Sequence, residues 1–216
     1  MNIPESWTFK TEDVARNFDT HVREQLPWYD LATSAVVHLG RHYIPRHGLV
    51  YDIGASTGNI GRALAKVIED RSARFVAIEE SQEMAEHYCG GGELRICDAT
   101  DFPFEPFDFA VCFLTLMFFP IAIRRRWHSE MRSLILPGGA LVIVDKVESP
   151  TGYIGTVLRR LAMSQKINAG VAAEEIIKKE LSLSGYQRPL AQDLQEGGVE
   201  FFRCGEFAGW VFEKPE

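Results

Sequence analysis

The run Val50-Tyr51-Asp52-Ile53-Gly54-Ala55-Ser56-Thr57-Gly58-Asn59-Ile60-Gly61 carries the sharpest chemical signal in the chain: an apolar segment meets a helical pattern through a glycine-rich turn. Gly54 and Gly58 let a ligand approach the backbone closely, with Ala55 and Ser56 filling the turn between them. Two ligands compete for such a turn. A dinucleotide wants G-x-G-x-x-G, which admits a pyrophosphate at the helix N-terminus. This chain reads G-x-x-x-G-x-x-G. Asp52, two residues before Gly54, places an acid where it would repel pyrophosphate and attract a cationic amino or sulfonium group. S-adenosylmethionine, which has no phosphate, fits better. A plain tight turn is the remaining alternative, since β-α turns with two glycines also occur in proteins without cofactors.

The surrounding elements must hold that turn open at a sheet edge. Short apolar runs at 49–53, 74–79, 93–97, 107–114 and 140–146 read as strands buried on both faces. Between them, Ile60, Leu64, Val67 and Ile68 make one helical face and Trp127, Met131, Leu134 and Ile135 another. Alternation of this kind predicts a parallel α/β sheet with helices on both sides, because each parallel crossover needs a long connection. Ligands bind such sheets at the carboxyl edge, near the topological switch point. A helix over 31–43 with Leu31, Ala35 and Leu39 on its apolar face precedes the first strand. Residues 1–20, polar with Trp7, Phe9 and Phe18, suit an arm or helix packed on the core as a lid. Residues 150–185 read as helical, with Ile154, Leu158 and Leu161 on one face and Ile176, Ile177, Glu180 and Leu181 in a second segment. The runs 199–204 and 207–214, separated by Gly205-Glu206, read as an antiparallel hairpin. The whole is one domain: a lid over 1–45, a cofactor-binding core over 46–148, a helical insertion over 149–190, and a C-terminal helix and hairpin over 191–216.

Composition narrows the function. The chain has 216 residues, 46% hydrophobic and 25% charged, enough for one domain with a real core. Its net charge of -7 supplies no global attraction for nucleic acid or anionic membranes. The four cysteines show no ligand spacing and the histidines no paired metal spacing, so no metal is expected. Neither an apolar signal segment nor a membrane-length apolar run is present in the sequence, and a cytoplasmic setting is expected. Arg124-Arg125-Arg126 could touch phosphate, but consecutive helical residues spread around the barrel, so the run reads as a solvated face.

With Asp52-Ile53-Gly54-Ala55-Ser56-Thr57-Gly58 as its first motif, the sequence resembles the class I S-adenosylmethionine-dependent methyltransferases. The resemblance implies a Rossmann-like methyltransferase fold: a mostly parallel seven-stranded sheet with a C-terminal antiparallel hairpin and an N-terminal helical lid. It also implies that the acid ending Phe75-Val76-Ala77-Ile78-Glu79 holds the ribose hydroxyls. Glu80 beside it is a second acid at the same strand end, and a solvated strand end is the alternative role for both. Cys97-Asp98-Ala99 looks like the family's adenine contact, with Asp98 accepting from the exocyclic amine. Pro137-Gly138-Gly139 also resembles the family, although a turn requirement explains it.

Phe18-Asp19-Thr20-His21-Val22, Leu26-Pro27-Trp28-Tyr29 and the tail from Leu141 to Lys214 resemble, more narrowly, the carboxy-S-adenosylmethionine synthases, which act in transfer RNA wobble-uridine modification. Tyr29 matches that family's cofactor-contacting tyrosine. Two departures stand out: the family's Asn after the fourth strand aligns with Phe113, and its carboxylate-gripping Arg aligns near Asp193. An acid cannot hold a carboxylate, and Arg188, five residues upstream, is the substitute candidate. A homodimer is expected from this resemblance alone.

Three functional readings follow. The first is in-line methyl transfer from S-adenosylmethionine to a small-molecule or RNA-related acceptor, with Tyr29, Thr115, Lys146 and Arg188 on the acceptor side. The sulfonium is already an activated leaving group, so positioning, desolvation and a general base suffice. The second keeps the fold but carboxylates the sulfonium methyl, with prephenate as the carbon dioxide source. The third is a non-catalytic S-adenosylmethionine-binding module. Direct base methylation is disfavoured, because Phe113 to Pro120 contains no Asp/Asn-Pro-Pro-aromatic motif and no Pro-Cys nucleophile is present.

Overall fold

The computed structural model describes residues 3–149 and 152–216. Positions 1 and 2 of the expected arm, and 150 and 151 of the expected helical insertion, lie outside the described residues. Seven strands form one sheet in the order β3-β2-β1-β4-β5-β7-β6. β1 (Leu49–Ile53), β2 (Arg74–Glu79), β3 (Glu93–Ile96), β4 (Phe107–Phe113) and β5 (Ile135–Lys146) run parallel. β6 (Val199–Cys204) and β7 (Phe207–Glu213) form the hairpin, and β7 pairs antiparallel with β5. The Rossmann-like methyltransferase fold expected from the sequence is the observed one. β5 begins at Ile135 rather than Ala140, because Gly138, at φ +77°, bends the chain without ending the strand.

Period-two alternation along the strands divides the core. Val50, Phe109, Val111, Val142 and Val144 face one side, against α1 (Glu12–Gln25), α2 (Tyr29–Tyr43) and α3 (Asn59–Arg71). Tyr51, Ile53, Ala110, Leu141 and Ile143 face the other, where α5 (Ile121–Leu134) brings Trp127 and Met131. A short helix, α4 (Gln82–Glu86), follows β2, with Ser81 Oγ accepting from the Met84 N–H. The insertion forms α6 (Tyr153–Asn168) and α7 (Ala173–Ser182).

Three helical faces differ from the sequence expectation. α2 buries Ala32, Val36 and Gly40 and leaves Leu31 67% exposed, because Gly40 lets the helix close on Leu64 and Phe109. In α6 and α7, Ile154, Leu161, Ile177 and Leu181 are exposed, while Gly155, Ile176, Lys179 and Ser182 face inward. None of the described helices is long and apolar enough to cross a membrane.

Candidate active site

β1 lies between β2 and β4, so the order in which successive strands are added reverses at the β1–β4 boundary, and a crevice opens at the carboxyl ends there. That crevice is a cleft of about 1010 Å³ including its mouth. Of the residues singled out by sequence, Tyr29, Asp52, Gly54, Ala55, Ser56, Glu79, Glu80, Asp98, Ala99, Phe113 and Thr115 all line it.

The glycine-rich turn is tied to β2, since the Gly54 and Ala55 N–H groups both donate to the Ile78 carbonyl at 2.9 Å. Gly54 sits at φ +73°, with the Thr115 side chain packed where a Cβ would stand, so glycine is required twice over. Ser56, at φ +53°, donates its backbone N–H to Glu79 at 2.7 Å, while its buried hydroxyl has no partner. Gly58 is placed differently from the sequence expectation. It does not line the cleft, but at φ +93° it starts α3 and packs against the Gly90 backbone.

Burial, followed by the nearby charge of Glu79, pushes the Asp52 carboxyl up to about 8, and its Oδ2 has no hydrogen-bond partner. Glu79 is also raised by burial, against the opposing effect of N–H donors from Ser81 at 2.8 Å and Ser56 at 2.7 Å. Each Glu79 oxygen therefore holds one donor and keeps a lone pair for another. Asp52 therefore holds a proton readily when no cation is near, and a cation in the cleft would favour its charged form. Glu80 is different: it points outward and pairs with Lys10. Asp98, exposed at the rim, accepts from the Thr100 N–H at 2.7 Å.

The arm, α1 and the start of α2 close the front of the cleft. The Ser81 hydroxyl donates to the Phe9 carbonyl at 2.8 Å, and the Trp7 N–H to the Ser182 carbonyl at 2.8 Å. Asp19 on α1 accepts from the Thr57 hydroxyl at 2.8 Å and from Arg62 at 2.7 Å, clasping α1 to the turn. Tyr29 is buried edge-on to Phe113, with ring centroids 5.2 Å apart, and Arg23 lies over its ring; burial pushes its phenol well above the usual range. Phe9 and Phe18 of the expected lid and Phe118 line this wall too, with Tyr186, which sequence reasoning did not single out. Leu114 was also missed. It adopts φ +58°, a costly conformation for a branched side chain, immediately beside Thr115.

The other acceptor-side candidates separate. Lys146 lines a second cavity, of about 770 Å³ including its mouth, bounded by α1, α6, α7 and β7. Arg188 has an exposed side chain and lines neither cavity. Its backbone is the part in use: its N–H donates to the Met117 carbonyl at 2.9 Å, and its carbonyl accepts from Arg124 at 2.9 Å. Arg124 corrects the expected solvated face, since it is buried and its guanidinium also holds the carbonyls of Met117 and Phe119. Beneath it, Asp145 is pushed up to about 7 by burial, against N–H donors from Lys146 and Met117. Asp193 pairs with Arg125 at the surface.

The residues present fit S-adenosylmethionine. Asp52 offers an unpaired buried oxygen for a cationic group, Glu79 has spare acceptor capacity for hydroxyls, and Ile60, Ile78, Ala99 and Phe113 supply apolar walls. Comparison with known proteins agrees. Residues 50–139 match the family model described as a methyltransferase domain. The fold is shared with an S-adenosylmethionine-dependent methyltransferase of Clostridium acetobutylicum (TM-score 0.59, 10% identity, 93% of this chain and 99% of that one). It is shared also with human N-acetylserotonin methyltransferase solved with S-adenosylmethionine (TM-score 0.60, 9% identity, 96% of this chain and 58% of that one). The chain is thus similar, in its fold and over residues 50–139, to the S-adenosylmethionine-dependent methyltransferases, and its cleft fits S-adenosylmethionine. Within that class it is similar along its length to the carboxy-S-adenosyl-L-methionine synthases. The relative from Staphylococcus epidermidis is 29% identical over 98% of both chains, and that from Pseudomonas putida W619 is 25% identical over 93% of this chain and 90% of its own.

Proposed function

We propose that the enzyme transfers the methyl of S-adenosylmethionine to a small acceptor seated in the second cavity. One observation carries this reading: the two cavities share Phe9, Phe18, Leu114 and Phe118, so a cofactor in the first meets an acceptor in the second across one apolar partition. The bound cofactor supplies a methyl on a good leaving group. The chain supplies the rest: Asp52 and Glu79 orient the cofactor, Tyr29 and Phe113 wall it off from water, and Thr115 and Leu114 fix the boundary between the sites. A net charge of -7 supports a small molecule over an RNA-related acceptor. Four cysteines, all free thiols, support a reducing, cytoplasmic setting.

The similarity to carboxy-S-adenosyl-L-methionine synthases favours a second reading, carboxylation of the cofactor methyl with prephenate as donor. The geometry supports it less, because Asp193 and Arg188 both lie outside the two cavities. In the second cavity, Lys146, Lys166 and Lys179 are then the cations that could hold a carboxylate. Mass spectrometry of S-adenosylmethionine after incubation with enzyme and prephenate separates the readings. An unchanged cofactor mass is expected, together with adenosylhomocysteine on incubation with cell extract. A gain of one carboxyl group would establish the second reading instead, and no calorimetric binding of S-adenosylmethionine would remove both.

A further inference from the structure

An unmet donor or acceptor is costly inside a protein unless water or a ligand meets it, so buried polar atoms without protein partners that cluster on one cavity wall show where a polar group would be received. Among the described residues there are six on side chains. Two, on Asp52 and Ser56, belong to the cofactor cleft. Three belong to residues lining the second cavity: Trp7 Nε1, His21 Nε2 and Gln25 Oε1.

Lys179 lines the same cavity and is 91% buried, its amine standing over the Trp7 ring. The charged groups around it are otherwise engaged. Lys166 on α6 pairs with Glu180 at 3.2 Å, and Glu175 on α7 accepts from Gln25 at 3.2 Å and lies 3.8 Å from His21 on α1. Across the cavity, Lys146 on β5 lies 3.9 Å from Glu206 and donates to Gln187 at 3.2 Å. Among the described residues Lys179 is thus the lysine of this wall with no carboxylate partner. Burial, reinforced by Lys166 and opposed by Glu175 and Glu180, brings its amine down to about 6. His21 is brought down to about 3, chiefly by burial and then by Lys179, which makes it a poor proton acceptor near neutrality.

We propose that Lys179 is the proton acceptor of the second cavity, and that the cavity takes a flat apolar molecule bearing an acidic hydroxyl, phenolic or enolic. The O–H bond breaks with its electron pair left on oxygen, and the proton joins the Nζ lone pair. An oxygen nucleophile is thereby generated next to the partition shared with the cofactor cleft. The walls match this class: Phe9, Phe18, Phe118 and Phe207 offer ring faces and edges for a planar body. The assignment rests on the methyl-transfer reading, but its test does not use the cofactor.

4-Nitrophenol is coloured only as its anion and ionises close to neutrality. Mixed with the cofactor-free chain in weak buffer at about pH 6.5, it is expected to bind as the phenolate without acidifying the solution, because Lys179 keeps the proton. Lys179→Met is expected to weaken the bound colour by about tenfold or more. Lys179→Arg retains a cation that cannot accept the proton, so it is expected to colour the probe while releasing about one proton per molecule bound. Absence of colour with the wild type, equal colour with Lys179→Met, or proton release by the wild type would each overturn the assignment. Calorimetry with S-adenosylmethionine on the same preparations tests the cofactor site separately.

Discussion

Asp52 gives the most direct test of the site's electrostatics. An unfolded aspartate ionises near 3.8, whereas Asp52 in the folded chain ionises near 8. Above about pH 4 the unfolded chain has lost this proton and the folded chain still holds it, so the cofactor-free protein loses stability as pH rises toward 8. About three pH units, at about 1.4 kcal/mol each, set a ceiling of about 4 kcal/mol at pH 7. Asp52→Asn keeps the shape and has no proton to lose. Near pH 7 the cofactor-free variant should therefore be more stable than the wild type by about 2 to 4 kcal/mol, with the gap closing near pH 4. Urea denaturation at several pH values measures that gap. Binding should respond in the opposite sense: a cationic ligand demands the carboxylate, so wild-type binding releases a proton below about pH 8 and tightens as pH rises. Asp52→Asn should bind S-adenosylmethionine about ten- to a hundred-fold more weakly, with the Asp52 share of the proton release gone. A stability gap that does not change with pH, or proton release identical in the two proteins, would refute the placement of Asp52 as the buried titrating acid.

Two further substitutions test the scaffold. Gly58→Ala combines φ +93° with a Cβ driven into the Gly90 backbone, so a loss of about 2 kcal/mol or more is expected in thermal melting, with weaker cofactor binding as α3 shifts. Arg124→Met removes the guanidinium donors of the Phe119 and Arg188 carbonyls and one of the two donors of the Met117 carbonyl, and should cost about 3 kcal/mol, whereas Arg125→Met, at an exposed pair, should stay within about 1 kcal/mol; equal effects in urea denaturation would contradict the burial of Arg124.

The cofactor cleft was legible because its parts are local. A strand, a turn with fixed glycine spacing and a helix are specified within 49–71, and acids ending the next strands reach the same edge by sheet geometry alone. The chemistry of the second cavity was not legible, although the lid and the insertion that close it were. Its wall is assembled from Trp7, His21, Lys146 and Lys179, on four segments whose approach depends on tertiary packing. The faces of α6 and α7 were misread for a related reason: they follow burial against the arm and α1 rather than the periodicity of their own aliphatic residues, so a lysine at 179 is buried while Ile177 is 60% exposed. In α2 the apolar residues surround the helix, and the small size of Gly40, rather than hydrophobicity, selects the packed face. Arg188 was identified by residue type, whereas the structure uses its backbone.

The two cavities are unlike in charge, and that difference orders the chemistry. The cofactor cleft holds two buried acids, Asp52 and Glu79, each raised by burial and each made more favourable by an incoming cation. The second cavity holds a buried amine lowered by burial and made more favourable by an incoming proton or an anion. When a methyl passes from a sulfonium to an oxygen, positive charge disappears on the cofactor side and a proton must be held on the acceptor side. Asp52 loses the nearby sulfonium charge, so burial again favours its protonated form, Glu79 keeps the cofactor hydroxyls, and Lys179 gains the proton that the acceptor gives up. The cost of burying these three groups is thus met in different states along the reaction, acids by the cofactor at the start and amine by the proton at the end. α1 spans both cavities, through the Asp19 clasp on the glycine-rich turn and through His21 and Gln25 on the second wall, so the same helix positions the groups whose charges must change together.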